Sequence, residues 1–151
     1  MNYLIDTNIL VYSLSKPEFE RHFNRHYPSV LHRLFISVVS EGELNSIALQ
    51  RSWGTRKQEQ MQQLLKGFII LPIKVRSIIN AYARIDAYSQ GKFAGKPLPA
   101  GMSSRNMGKN DLWIAATAHV TDATLVTTDN DFGHLDRVFF PLDRIDISLF
   151  L

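Results

Sequence analysis

Four short acidic signatures are spread along the sequence: Asp6 in Leu4-Ile5-Asp6-Thr7-Asn8, Glu43 in Glu41-Gly42-Glu43-Leu44, Asp111 in Asn110-Asp111-Leu112-Trp113, and Asp129 in Thr127-Thr128-Asp129-Asn130-Asp131. Each falls where an apolar run ends or a helical pattern begins. Carboxylates brought within a few ångströms raise one another's pKa, so a cluster of them calls for a neutralising cation. Four acids from distant segments, gathered at the ends of parallel strands, read as a hard-cation site. All-oxygen ligation in a chain without cysteine favours Mg²⁺ or Mn²⁺ over zinc.

That reading requires a scaffold that places the acids on one edge. Tyr3-Leu4-Ile5 is a short apolar run, the mark of a buried strand. Asp6 or Thr7 can cap a helix carrying Ile9, Leu10, Val11 and Leu14. Pro17 opens a second helical stretch, expected to reach about His32. Phe35-Ile36-Ser37-Val38 predicts a second strand. Ser40, three residues before Glu43, has capping-box spacing for a helix running to about Arg51. Thr55 caps a polar helix ended by Gly67, and Phe68 to Ile73 predicts a third strand. A helix over Val75 to Tyr88, an alanine-rich helix from Asn110 or Asp111, a fourth strand Thr124 to Thr128, and an edge strand Ile145 to Ile147 complete the pattern. Strands alternating with helices imply an α/β fold: a mostly parallel five-stranded sheet with helices on both faces.

Composition bounds the rest. A chain of 151 residues, 45% of them apolar, suits one domain spanning residues 1–151 with its own core. The absence of cysteine removes disulfides, thiolate metal sites and thiol catalysis together. No stretch is apolar and long enough to span a bilayer, and the first residues lack the basic region of a signal peptide, so a cytoplasmic protein without membrane attachment is expected. The net charge of +3 permits a polyanionic partner without demanding one. Its distribution is uneven. Ser89 to Asn110 holds Lys92, Lys96, Arg105 and Lys109 and no acid, among glycines and prolines, and runs into Asp111. Connections of that length are usually functional or disordered.

Each acid also has a simpler account. Acids are common in first helical turns because they complement the helix dipole. For Glu43 alone, capping is the simpler explanation, and for Asp111 alone the two readings balance. Asp6, between buried apolar residues and a new helix, must be satisfied by capping or by a site. The ordered set of four is more specific than any member.

The same four signatures resemble the successive motifs of PIN-domain ribonucleases, and most closely the VapC-type toxins of type II toxin–antitoxin modules. The likeness extends from Asn2 to about Leu135; the second motif is the loosest and rests on Glu43-Leu44. The resemblance implies a Mg²⁺- or Mn²⁺-dependent endoribonuclease, a homodimer, and an inhibitory antitoxin partner. By position, it makes Asp6 the central metal ligand and Asp111 the second, with Glu43 binding directly or through water. The fourth acid stays open between Asp129 and Asp131. Thr7, Asn8 and Thr127 would orient carboxylates or water, and Lys92, Lys96, Arg105 and Lys109 would hold RNA phosphates, with Arg51, Arg56 and Lys57 as further candidates. The connection at about 89–110 is longer than the family's usual one, which leaves its role open between an RNA clamp and an antitoxin contact.

The rival reading is a binding module, the same fold with weak catalysis, acting on RNA or a protein partner. A strand-end phosphatase would want an acid at position 8, where the sequence has Asn8. Trp113, two residues past Asp111, is read as packing rather than base stacking, whereas Trp53 is the more open of the two. His22 and His26 read as a surface pair, and His134 is given no role.

Overall fold

The computed structural model describes residues 1–151. Five parallel strands form a single sheet in the order β3-β2-β1-β4-β5: β1 Asn2–Ile5, β2 Arg33–Ser37, β3 Ile69–Leu71, β4 Thr124–Thr127 and β5 Leu142–Arg144. Six helices accompany it: α1 Thr7–Ser15, α2 Pro17–His26, α3 Val38–Gln50, α4 Thr55–Leu65, α5 Arg76–Ser89 and α6 Lys109–Val120. No helix is long and apolar enough to cross a membrane. The chain builds outward from β1 to β2 and β3, then returns to lay β4 on the other side. The crevice between β1 and β4 is therefore the topological switch point where such sheets bind ligands.

The period-2 alternation of strand side chains divides the core in two. Ile5, Ile36 and Val126 face the layer of α1 to α4, where they meet Ile9, Phe19 and Leu44. Leu4 and Leu125 face α5 and α6, where they meet Ile85 and Ile114. Both layers are sealed, as a parallel sheet requires. The helix α6 is buried almost all round: Ala115, Ala116 and Ala118 are fully inaccessible, which explains its weak amphipathicity. The small alanines let it lie close on the sheet and hold its first turn, with Asp111, at the strand ends.

Strand β2 is shifted to Arg33–Ser37 and β3 shortened to Ile69–Leu71, and four further differences have a local cause. Helix α2 stops at His26 rather than His32, because Pro28 bars helical backbone at Tyr27, which sits at φ −128°. Helix α3 begins at Val38, not after Ser40. Ser37, the last residue of β2, supplies the cap, its hydroxyl accepting from Val39 N–H at 3.1 Å. Helix α4 is capped by Gly54, without a side-chain hydrogen bond from Thr55. The last strand lies at Leu142–Arg144, paired in register with Leu125 to Thr127, and not at Ile145 to Ile147. There the Asp146 carboxylate caps Ser148 N–H at 3.0 Å and turns the chain into a 3₁₀ helix.

One polar contact ties the end of α2 to the edge strand. Buried Tyr27 donates its hydroxyl to the Asp143 carboxylate on β5. Burial and this bond both hold the phenol in its protonated form. Tyr27→Phe is expected to lower unfolding free energy by about 1 kcal/mol, because Asp143 is exposed and its bond is screened by solvent. Urea unfolding should show a lower midpoint with an unchanged slope; an unmoved midpoint would mean that the bond adds nothing.

Candidate active site

Asp6 follows β1 directly and is the N-cap of α1, with extended backbone and its Oδ1 accepting from Thr7 N–H at 2.8 Å. Its other oxygen accepts from the Thr127 hydroxyl at 2.7 Å, across the β1–β4 crevice. Thr127 is fully buried at the end of β4, and its Oγ1 in turn accepts from Asp129 N–H at 3.0 Å. Asn8 Oδ1 accepts from Thr128 N–H at 3.4 Å, a longer tie between the same two segments. The end of β1 and the end of β4 are therefore laced together through the two residues that flank the switch point.

Glu43 lies one and a half turns into α3, too far from its start to cap it. The simpler account of this residue therefore fails. Thr7 donates its hydroxyl within reach of both Glu43 Oε1, at 2.7 Å, and Ser40 Oγ, at 2.9 Å. Ser40, which capping-box spacing cast as an N-cap, is instead a fully buried partner of the Thr7–Glu43 contact. Asp111 occupies the first turn of α6 and does not bond its own helix N-terminus, which has no side-chain cap.

The electrostatics are one-sided. Burial pushes the Asp6 carboxyl up to about 7 against the two hydrogen bonds that favour its charge, and Asp111 and Glu43 add to the rise. Asp111 is pushed up to about 6, first by burial and then by the charges of Asp129, Glu43 and Asp131. No cation is among the groups acting on either carboxyl. The mutual effects place the acids of the four signatures on one edge. No three of them close into a ready-formed ligand cage. The donor set and the uncompensated buried charge fit a hard divalent cation.

Asp129 and Asp131 differ in setting. Asp129 is half-buried and joined to Thr127, and its Oδ1 accepts from Asp131 N–H at 3.1 Å; Asp131 is exposed. Two hollows flank the acids. One, of about 480 Å³, lies against Glu43 and Asn110; the other, of about 290 Å³, lies between Asp111, Asp131 and the chain just before α6. Of the basic residues in that connection, Arg105 lines the second hollow. Lys96 instead holds its ammonium 5.0 Å from the Phe139 ring, which packs against His119 in the last turn of α6. His119 is about 12 Å along the helix from Asp111. Lys92 and Lys109 are exposed at the two ends of the connection. Trp113 packs against Tyr82, with ring centroids 4.3 Å apart, and the Trp53 ring lies under Lys57 at 4.8 Å. His134, given no role by its sequence context, is buried against Ser89 behind the second hollow.

The family profile described as PIN domain matches residues 3–138. No curated protein sequence matches the chain significantly. Among solved structures, the fold is similar to VapBC2 from Rickettsia felis bound to a promoter DNA fragment, with a TM-score of 0.73 at 21% identity over 97% of this chain and 100% of that one. It is also similar to VapBC-1 from nontypeable Haemophilus influenzae, with a TM-score of 0.69 at 23% identity over 95% and 98% of the two chains. A toxin-antitoxin complex from Klebsiella pneumoniae gives 0.62 at 21% identity over 86% and 89%.

The raised carboxyl pKa values set a pH dependence. A carboxyl whose folded pKa lies above its unfolded value near 3.8 stabilises the protonated protein, and that stability is lost as pH rises toward about 6 and 7. Cation-free protein should therefore lose melting temperature between about pH 4 and 7, and Asp6→Asn should flatten that loss. Added Mn²⁺ should raise the melting temperature, more at pH 8 than at pH 5.5, because the ligands must ionise to bind. A cation effect independent of pH, or undiminished in Asp6→Asn, would count against a site on these acids.

Proposed function

The chain belongs to the PIN-domain family, and from that premise we propose that it is a divalent-metal-dependent endoribonuclease, the toxin of a VapC-type toxin–antitoxin pair. The single observation that carries this reading is Asp6: a buried carboxyl at the switch point, hydrogen-bonded as an anion yet given no counter-charge by the protein. Residues 1–151 form one nuclease domain in this reading, with the connection at about 89–110 as its insertion.

Asp6 and Asp111 would hold the cation, Mg²⁺ or Mn²⁺. Bound there, it would activate water and neutralise charge on the phosphodiester during in-line displacement. The chain's own residues set the geometry. Thr127 and Thr7 N–H fix the two oxygens of Asp6, so the carboxylate cannot rotate away from the crevice. Thr7 holds Glu43 toward the same edge, where it can order water. Asp129, bonded through its N–H to Thr127, is the fourth acid in this reading, and Asp131, whose charge also acts on Asp111, is the alternative. Asn8 braces the β4 end against α1. The flanking hollows give single-stranded RNA room on either side of the acids, and Arg105, Lys92 and Lys109 supply phosphate partners. Lys96 contributes less, being engaged on Phe139.

The solved complexes of similar fold support an antitoxin as the protein partner, and a homodimer in the cytoplasm is the working assembly of this reading. The intact quartet favours catalysis over the alternative of a catalytically weak RNA- or partner-binding module, since binding alone would leave four mutually repelling acids without a purpose.

Purified protein should cut structured RNA with Mg²⁺ or Mn²⁺ and stop in EDTA. Asp6→Asn and Asp111→Asn should remove cleavage, while Thr127→Val should reduce metal affinity or rate by about 10–100-fold through the loss of orientation. Cleavage that survives EDTA or both Asn variants would rule out the metal–carboxylate mechanism. Absence of any RNA cleavage would favour the binding module.

A further inference from the structure

The basic connection between α5 and α6 is a built element, not a slack loop. Helix α5 ends in a Schellman turn: Gly91, at φ +71°, donates to Tyr88 C=O at 3.0 Å and Lys92 to Ala87 C=O at 2.9 Å. After a detour the chain returns to the same helix end, where Arg105 N–H donates to Ser89 C=O at 2.7 Å. The Ser89 side chain is fully buried. Its hydroxyl sits 2.8 Å from His134 Nε2 and 3.3 Å from the sulfur of buried Met107. Burial keeps His134 neutral, with its pKa lowered to about 4, and the charge of Arg105 adds to that shift. The segment from Ser103 to Gly108 is thus pinned at Arg105 and Met107 by one buried polar cluster.

What this strap encloses is the hollow of about 290 Å³ against Asp111 and Asp131. Its lining is chemically specific. Ser103 and Ser104 bring hydroxyls, Asn106 a carboxamide and Arg105 a guanidinium, and Met107 is the one hydrophobic lining residue. No aromatic ring lines it, so it offers a base no ring to stack on. A cation with hydroxyl and amide groups around it matches a phosphate and a sugar.

We propose that this hollow is a ribonucleotide subsite, holding the nucleotide beside the scissile phosphodiester, with Arg105 on its phosphate and Ser103, Ser104 and Asn106 on its sugar hydroxyl. The proposal rests on the nuclease reading for the position of the cut, but not for binding. The subsite reads the backbone rather than the base, and therefore contributes affinity and register without sequence preference. The 2′-hydroxyl is its means of telling RNA from DNA.

The test uses a short fluorescein-labelled single-stranded RNA, its binding followed by anisotropy in EDTA and its cleavage followed with Mn²⁺. Arg105→Ala should weaken binding about tenfold and reduce the slope of log K against log salt by about 0.7, the loss of one phosphate contact. It should raise KM in parallel while leaving kcat within about twofold, and Arg105→Lys should recover part of the loss. The Ser103→Ala/Ser104→Ala double variant should narrow the preference for RNA over DNA of the same sequence. Arg105 is exposed, so a melting curve matching wild type is expected and confirms that the variant is folded. Unchanged binding, salt slope and KM in Arg105→Ala, in a wild-type protein that cuts RNA, would overturn the subsite alone. A wild type that binds RNA through Arg105 but cuts none would overturn the nuclease reading and leave the subsite standing. A wild type that neither binds nor cuts overturns both.

Discussion

A carboxyl group fixed at the end of the central strand governs this structure. Asp6 caps α1 through Thr7 N–H and accepts a second hydrogen bond from Thr127 on the neighbouring strand. Both bonds favour the anion, while burial disfavours it more strongly. The result is a preorganised site with an unmet electrostatic need. A protein that wanted only a helix cap here would do better with a serine or an asparagine, which cap as well without a charge to desolvate. The neighbouring acids Asp111 and Glu43 deepen the conflict, each raising the Asp6 pKa further.

The surrounding architecture follows from keeping that edge in place. Sealing the sheet on both faces fixes β1 and β4 side by side, with Leu4 and Leu125 in one core and Ile5 and Val126 in the other. The alanine face of α6 brings Asp111 to the strand ends, and the buried Thr7–Ser40 contact brings α3 and Glu43 to the same place. On the far side of Asp111, the Ser89–His134–Met107 cluster fixes the approach to α6. Polar groups inside the molecule thus concentrate around the acidic edge, where position matters more than stability.

Much of this was legible because it is local. Asp6 after Tyr3-Leu4-Ile5, and Asp111 at the head of an alanine-rich helix, follow from short-range pattern alone. Where two nearby residues competed for one role, pattern was insufficient. Ser37 and Ser40 are both serines near the start of α3, and Glu43 matched the capping box of the wrong one. The true cap was decided by where β2 ended against its neighbours in the sheet. Pro28 marks the limit of α2 within the sequence itself. The last strand depended on register with β4, which no local signal carries. His134 and Ser89 meet across 45 positions of sequence, and only the folded chain shows them as the anchor of the basic connection.

The central claim, that the acidic edge exists to hold a divalent cation, is tested most directly by titrating Mn²⁺ into the protein calorimetrically at pH 6.5 in two buffers of different ionisation enthalpy. With Asp6 held near 7 and Asp111 near 6, binding should release a substantial fraction of a proton, and Asp6→Asn should reduce both affinity and proton release. Absence of Mn²⁺ binding, or binding with no proton release and no dependence on Asp6, would contradict the account.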